Sequence, residues 1–318
     1  MVIRYLSEAH LGRLRLSAKS VVDAIEKTIA DVVAARAWSA PKSVVLPDDG
    51  RYIMTTLAVT DDPPQVAVKA VVLNPHNAAK GLSSIDGVVT ILDGHTGQPR
   101  ALIDGKYVTA IRTAGLSLLA AKHLARETSS AMAFLGCGVQ ARAHLAAFVE
   151  AYPIKSVYLF GRGKANIDSL AEMARNLGCD VHIADSAEGA MRSADVIVSS
   201  LTRDPGREPF LDAKLVRPGA FATITDLAEP WIQSSLNSFN PIFVDDLAQE
   251  RASGVKLLDP SYIRGDLADL VTGRSRGRDA GDQRTAFIFR GLGVADLAIA
   301  SLALSEAEKS NIGTVIDD

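Results

Sequence analysis

The sequence predicts an α/β protein in which a doubly wound parallel sheet is joined to a second, α+β domain. Two observations carry this. Over residues 131–199, short apolar runs alternate with helical patterns, the order produced by βαβ units. Upstream, over residues 43–92, β-rich runs are separated by Asp-Gly, Pro-Pro and Asn-Pro signals, which favour a mostly antiparallel sheet. A chain of 318 residues is long enough for two cores.

Taken in order, residues 17–36 place Val21, Ala24, Ile25, Ile29, Val32 and Val33 at helical spacing, an amphipathic helix. Strands follow at 43–46, 52–57, 66–73 and 87–92. From Tyr107 onward Ile111, Ala114, Leu118, Ala121 and Ala125 fall on one face of a helix that bridges the two domains. The parallel sheet takes strands at 131–135, 156–160, 181–183, 196–199, 220–225 and 241–244. Its helices are expected at 140–150, 166–177 and 187–192. A polar loop at 272–284 and a helix at 294–308 close the chain. The expected division is residues 1–113 with 294–318 as one domain and 114–293 as the other.

Composition narrows the function. Hydrophobic residues make up 47% and charged residues 22%, the balance of an ordinary globular protein. The net charge of −3, with both signs interspersed, leaves no basic stripe for a nucleic acid. Arg4, Glu8, His10 and Arg13 interrupt any signal-peptide core, and no run has the apolar length of a membrane span, so a cytoplasmic protein is expected. Cys137 and Cys179 are too few for a disulfide framework and, with six scattered histidines, suggest no metal site.

Gly136-Cys137-Gly138-Val139-Gln140-Ala141 follows an apolar strand and opens a helix, where a G-x-G-x-x-G/A turn has a mechanism. Gly136 permits the tight turn, Gly138 lets backbone approach a pyrophosphate, and Ala141 allows close helix packing. Amides at the helix start would hold the anion. The plainer alternative is a glycine-rich connection, and the surrounding βαβ pattern favours the cofactor. After the next strand, Gly161-Arg162-Gly163-Lys164 lacks the acid that an NAD-selective site presents to the ribose. Arg162 could instead pair with a 2′-phosphate, so NADP(H) is preferred and NAD(H) is possible, against the alternative of a solvated basic turn.

Three charged residues stand in costly places. Lys69 interrupts an apolar run expected to be buried on both faces. It reads either as a functional ammonium or as an edge-strand lysine that snorkels to water. Arg112 opens the bridging helix, suited to a carboxylate or phosphate or else to a structural ion pair. Asp226 lies just past a strand's carboxyl end, where doubly wound sheets bind ligands, though Asp is also a common helix N-cap.

These pieces, in this order, resemble the ornithine cyclodeaminase and mu-crystallin family. The resemblance is carried by Gly81-Leu82-Ser83-Ser84, Leu92-Asp93, Gly97-Gln98-Pro99, Asp104-Gly105 and Thr109-Ala110-Ile111-Arg112-Thr113-Ala114. It continues through the turn from Gly136 to Arg142, Pro218-Gly219-Ala220, Gly265-Asp266-Leu267, Gly277-Arg278, and Thr285-Ala286-Phe287 through Asp296. It implies a Rossmann domain joined to a substrate-binding and dimerisation domain made of the N-terminal half plus the last helix. It also implies that Lys69 and Arg112 contact a substrate carboxylate, and that Ser84, Arg112, Thr113, Val139, Gln140, Arg162, Thr202, Thr223 and Arg290 line the cofactor. Three departures stand out. Lys42 occupies the place where many members have an arginine for the substrate carboxylate, which keeps charge but not the bidentate fork. Arg51, Tyr52 and Ile53 stand where ornithine cyclodeaminases have a glutamate just before the methionine matched by Met54. Asp226 lies within a residue of the family's catalytic aspartate, in a loop of different sequence.

The resulting expectation is a homodimeric NAD(P)H-dependent reductase of small cyclic or N-substituted α-imino acids, a ketimine reductase. Its substrate carboxylate would meet Lys42, Lys69 and Arg112 near Met54, and Lys69 or Asp226 would act as catalytic acid. The alternatives are a cyclodeaminase using bound NAD+, with Asp226 as base, and a protein that binds NADPH and a small carboxylate without turnover.

Overall fold

Two serines start the fold by capping helices. Ser7 and Ser17 accept the His10 and Ser20 backbone N–H groups, satisfying amides that a helix start leaves unpaired. The computed structural model describes residues 2–204 and 206–317, with Ala78 described by its backbone alone. The chain divides into two units, Met1–Arg112 with Leu292–Asp318, and Thr113–Gly291.

The first unit begins with β1 (Val2–Leu6), α1 (Glu8–Leu14), α2 (Ala18–Val33), β2 (Ala37–Ser39) and β3 (Ser43–Val45). It continues with β4 (Tyr52–Asp61), β5 (Pro64–Leu73), β6 (Ile85–Asp93) and β7 (Pro99–Asp104), which leads into α3 (Gly105–Leu124). Val21, Ile25 and Ile29, four residues apart, form the buried stripe of α2. β4 to β7 form an antiparallel meander, and β1 pairs parallel to β7.

Period-two alternation gives this sheet two unlike faces. Ala58, Ala67, Lys69, Val71, Val89, Ile91, Ala101 and Ile103 are buried on one face, whereas Leu57, Val72 and Val88 on the other remain 42%, 39% and 37% exposed. The strand around Lys69 is therefore not buried on both faces as expected, because its outward residues lie on the open side. Nor is it an edge: β5 pairs with β4 and β6 along its whole length, so Lys69, 1% exposed, has no route by which to snorkel.

The second unit holds β8 (Ala131–Leu135), α4 (Val139–Ala151), β9 (Ser156–Phe160), α5 (Lys164–Asn176), β10 (Asp180–Ile183), α6 (Ala187–Ser193) and β11 (Val196–Ser199). It goes on through β12 (Phe221–Ile224), β13 (Ile242–Val244), α7 (Leu247–Ala252), β14 (Ile263–Asp266), α8 (Leu267–Val271) and β15 (Thr285–Ile288). All pairings are parallel, in the order β10-β9-β8-β11-β12-β15-β13-β14. The strand order reverses between β8 and β11, which makes that crevice the topological switch point of a Rossmann-type sheet. β8, β11, β12, β13 and β15 are buried throughout.

The polar loop 272–284 is pinned by one guanidinium. Arg278 donates to the carbonyls of Leu124, Gln283 and Ala220 and to the Thr285 hydroxyl. The neighbouring Gly277 packs so tightly that a Cβ would come within 2.2 Å of the His123 carbonyl. The chain then returns to the first unit with α9 (Gly293–Lys309), packed on α2, β4 and β5, and β16 (Thr314–Asp317), antiparallel to β1. Among the described residues no helix is long and apolar enough to cross a membrane.

Candidate functional site

The turn between β8 and α4 lies at the switch point. Gly136 has φ +96, and a Cβ there would stand 2.6 Å from the Ser200 carbonyl at the end of β11. Only glycine satisfies both the conformation and the approach. Gly138 is the N-cap of α4, offers no side-chain cap, and an added Cβ would meet nothing within 4 Å. The thirteen-residue helix thus begins beside open space at Gly138, with Val139 exposed and Ala141 fully buried. Backbone donors at a helix start, with no side chain competing for them, suit a pyrophosphate. The Gln140 Oε1 is buried with no hydrogen-bond partner among the described residues.

Around this turn the expected cofactor residues separate into reachable and committed groups. Arg162, just past β9, is exposed and lies 3.8 Å from Asp204. Thr202 is exposed after β11. Thr223 is sealed in β12, where its hydroxyl meets Ser117 at 2.7 Å. Ser117 in turn meets His144 Nε2 at 2.8 Å, and His144 Nδ1 lies 2.7 Å from the Gln140 carbonyl. Because a carbonyl only accepts, Nδ1 carries the proton, Ser117 donates to Nε2, and Thr223 donates to Ser117. Burial pushes His144 down to about 4, so the ring is neutral and anchors the start of α4. Arg290 is paired with Glu250 at 2.9 Å, a structural engagement.

In the first unit, Lys69 and Arg112 come together on one carboxylate that the sequence reading did not single out. Lys69 Nζ lies 2.6 Å from Asp296 Oδ1, and Arg112 Nε lies 3.2 Å from the same oxygen. Thr56, the cross-strand partner of Lys69, donates to Oδ2 at 3.1 Å. All four residues are at least nine-tenths buried. Burial drives Lys69 down, Arg112 adds to this and Asp296 restores part, leaving it at about 8. For Asp296 burial acts upward, but Lys69, Arg112 and Lys42 outweigh it and hold the carboxyl below its ordinary range. Removing one partner of such a pair costs about 3–5 kcal/mol, since the other is left buried and uncompensated. Two cations against one carboxylate leave a positive surplus suited to a second anion.

Asp226 sits two residues past β12. Ser199 Oγ donates to its Oδ2 at 2.6 Å and the Leu201 amide at 3.1 Å, while its Oδ1 is buried with no hydrogen-bond partner among the described residues. Trp231 Nε1 donates to Ser199 Oγ at 3.0 Å and orients that hydroxyl. Burial raises the carboxyl to about 6, against these donors. Leu227 and Ala228, at φ +59 and +57, are consecutive left-handed residues beside it, a strain that side chains other than glycine adopt only where surrounding structure enforces it.

A switch-point turn with an uncapped helix start, a buried cation pair and a buried aspartate past β12 accompany a match over residues 5–311 to the ornithine cyclodeaminase/mu-crystallin family. The chain belongs to that family. A Delta(1)-pyrroline-2-carboxylate reductase of Bacillus cereus is 27% identical over 79% of this chain and 80% of its own. The Thermococcus litoralis Delta(1)-pyrroline-2-carboxylate reductase, solved with NADH and L-proline, is 27% identical, covers 98% of this chain and 99% of its own, and superposes with a TM-score of 0.88. An archaeal alanine dehydrogenase dimer with bound NAD shares the fold at 24% identity and a TM-score of 0.87, covering 100% of this chain and 99% of its own.

The remaining family positions fall as follows. Met54 lies on the helix-covered face of β4, two residues before Thr56, and Lys42 lies half-buried between β2 and β3, within electrostatic reach of Asp296. Ser84 is exposed just before β6, and Thr113 is buried on α3. No group of three or more His, Cys, Asp or Glu that could hold a metal occurs among the described residues. The missed residue, Asp296, carried one signal: an acid inside the apolar run of α9.

The raised Asp226 carboxyl has a stability consequence. A group whose folded value is raised contributes stability at low pH that is lost as pH rises through about 6, here up to about 3 kcal/mol from a shift of about two units. Asp226→Asn is expected to raise the melting temperature at pH 8, with the advantage shrinking as pH falls below 6; a pH-independent difference in thermal unfolding would contradict the assignment.

Proposed function

We propose that the protein is an NAD(P)H-dependent reductase of small cyclic or N-substituted α-imino acids, such as pyrroline-2-carboxylate or piperideine-2-carboxylate. The carrying observation is the buried Lys69–Arg112 pair, whose two charges Asp296 balances only in part. Likeness to pyrroline-2-carboxylate reductases, one solved with NADH and L-proline, supports the same reading.

In this reading Lys69 and Arg112, assisted by Lys42 beside Met54, fix the substrate carboxylate, converting part of the barrier's entropic cost into binding. The turn at Gly136 and Gly138, with the amides of Val139 and Gln140, holds the pyrophosphate, and Ser84, Thr113 and Thr202 contribute further contacts. Nicotinamide supplies the hydride when bound. An imine accepts hydride only when its nitrogen is protonated, and Asp226, whose carboxyl titrates at about 6, is suited to hold that proton. Lys69 is the alternative acid. Arg162 favours NADPH through charge-assisted contact with a 2′-phosphate.

A second copy of the chain covers the open face of the first unit's sheet, where Leu57, Val72 and Val88 are exposed beside the half-buried, outward Val66 and Val68. Monomeric proteins seldom leave a contiguous apolar patch of this kind in water.

Incubation with NADPH and each cyclic imine is expected to consume reduced-nicotinamide absorbance. Lys69→Met should then raise the KM for imine by about 100-fold or more with NADPH affinity unchanged, in line with the loss of a buried charge-assisted contact. Failure across an imine panel would remove the reductase reading, and ornithine turning into proline without net cofactor change would establish a cyclodeaminase. Arg162→Ala should reduce NADPH efficiency about tenfold or more beyond any loss with NADH; equal losses would refute the cofactor preference. Sedimentation should give twice the chain mass for the wild type and a smaller species for Val72→Glu, whereas a monomeric wild type would overturn the dimer.

A further inference from the structure

Asp296 has entered so far only as a partial counter-charge, yet side chains from three other elements converge on it. β5 contributes Lys69, α3 Arg112, β4 Thr56, and α9 the carboxylate itself. The carboxylate accepts on both oxygens, so its plane is fixed, and Oδ1 sets the Lys69 ammonium and the Arg112 guanidinium beside one another. The contact to Arg112 is through Nε at 3.2 Å without hydrogen-bond geometry, a charge contact that leaves the bidentate edge of the guanidinium uncommitted to Asp296. Its environment gives α9 a reason to carry this acid within an otherwise apolar stretch, where an ion without partners would be prohibitively costly.

We propose that Asp296 is a positioning residue for carboxylate capture: it fixes Lys69 and Arg112 side by side and balances one of their two charges, leaving one to meet the carboxylate of an imino acid. The inference rests on the function proposed above and deepens it. The groups that face Lys69 are Asp296 from α9, Arg112 from α3 and the Thr56 hydroxyl from β4, and Lys42, between β2 and β3, adds its charge to the field at Asp296. With Asp296 neutral, the burial of Lys69 and the charge of Arg112 would act on the ammonium unopposed, so Lys69 would give up its proton at lower pH.

The test is calorimetric binding of pyrrole-2-carboxylate, a flat carboxylate that resists reduction, to wild type and Asp296→Asn from pH 6 to 9.5, with the Lys69 ammonium followed by NMR of 15N-lysine-labelled protein. Wild-type affinity should fall above about pH 8. In Asp296→Asn the fall should begin at least one pH unit lower, while at pH 6 the lost positioning and the gained local positive charge oppose one another, so the loss there should be smaller than the loss at pH 8. An unchanged pH profile, or a loss of equal size at every pH, would overturn the proposal. Should Asp296→Asn not fold, Asp296→Glu, which keeps the charge but displaces it, should retain the pH profile and bind about tenfold more weakly; wild-type affinity in that variant would also overturn it. If wild type reduces no imine, the proposed reaction fails while these measurements still decide the role of Asp296, and if it binds no carboxylate the Lys69 titration decides alone.

Discussion

The Asp296 carboxylate, buried at the start of α9 between the Lys69 ammonium and the Arg112 guanidinium, is the constraint around which the first unit is arranged. Either cation would be costly in that interior alone, because the desolvation penalty of a single buried ion exceeds what ordinary packing returns. The pairing therefore dictates that β5 lie centrally in its sheet, that α9 cross its covered face, and that α3 begin within reach of both. The three charges are all buried, where Coulombic attraction is much less screened than in water.

The second unit solves the opposite problem. Its turn between β8 and α4 has no side chain to neutralise it, and the helix start is left with donors in search of an acceptor. Behind it, the chain of hydrogen bonds from Thr223 through Ser117 and His144 to the Gln140 carbonyl holds the first turn of α4 rigid without consuming those donors. Asp226 joins the two themes: it is buried, its Oδ2 is held by Ser199 and the Leu201 amide, and its Oδ1 is unanswered among the described residues. A carboxyl kept in that condition holds a proton at a pH where an exposed one would have lost it.

How far the sequence disclosed this depends on whether a feature has local grammar. The βαβ rhythm placed β8, β9 and β11 at their observed ends, since each is a short, largely apolar run between helical patterns. Gly136 and Gly138 were legible because a strained turn admits few residue types. β1 and β16 escaped, because strands whose mutual pairing joins opposite ends of the chain have no local signal, and the short β7 escaped although its partner β6 directly precedes it. Lys69 and Arg112 were visible as charges in apolar company, whereas their meeting with Asp296, 227 residues beyond Lys69, is a long-range contact that no spacing encodes. Arg290 and Thr223, implied by family likeness to face the cofactor, are engaged with Glu250 and Ser117, which only coordinates could disclose.

The passage of the chain out of the first unit after Arg112 and back at Leu292 has a temporal consequence. During synthesis the ribosome delivers β4, β5 and the start of α3 long before α9 exists, while the intervening segment can form its parallel sheet independently. The earliest-made half of the molecule is thus the last to be finished, its two cations kept hydrated until the final helix arrives to dehydrate them. A product truncated between Ile288 and Asp296 would carry every strand of the second sheet beside a first unit that lacks its covering helix, a species that quality-control proteases can recognise by its uncovered sheet.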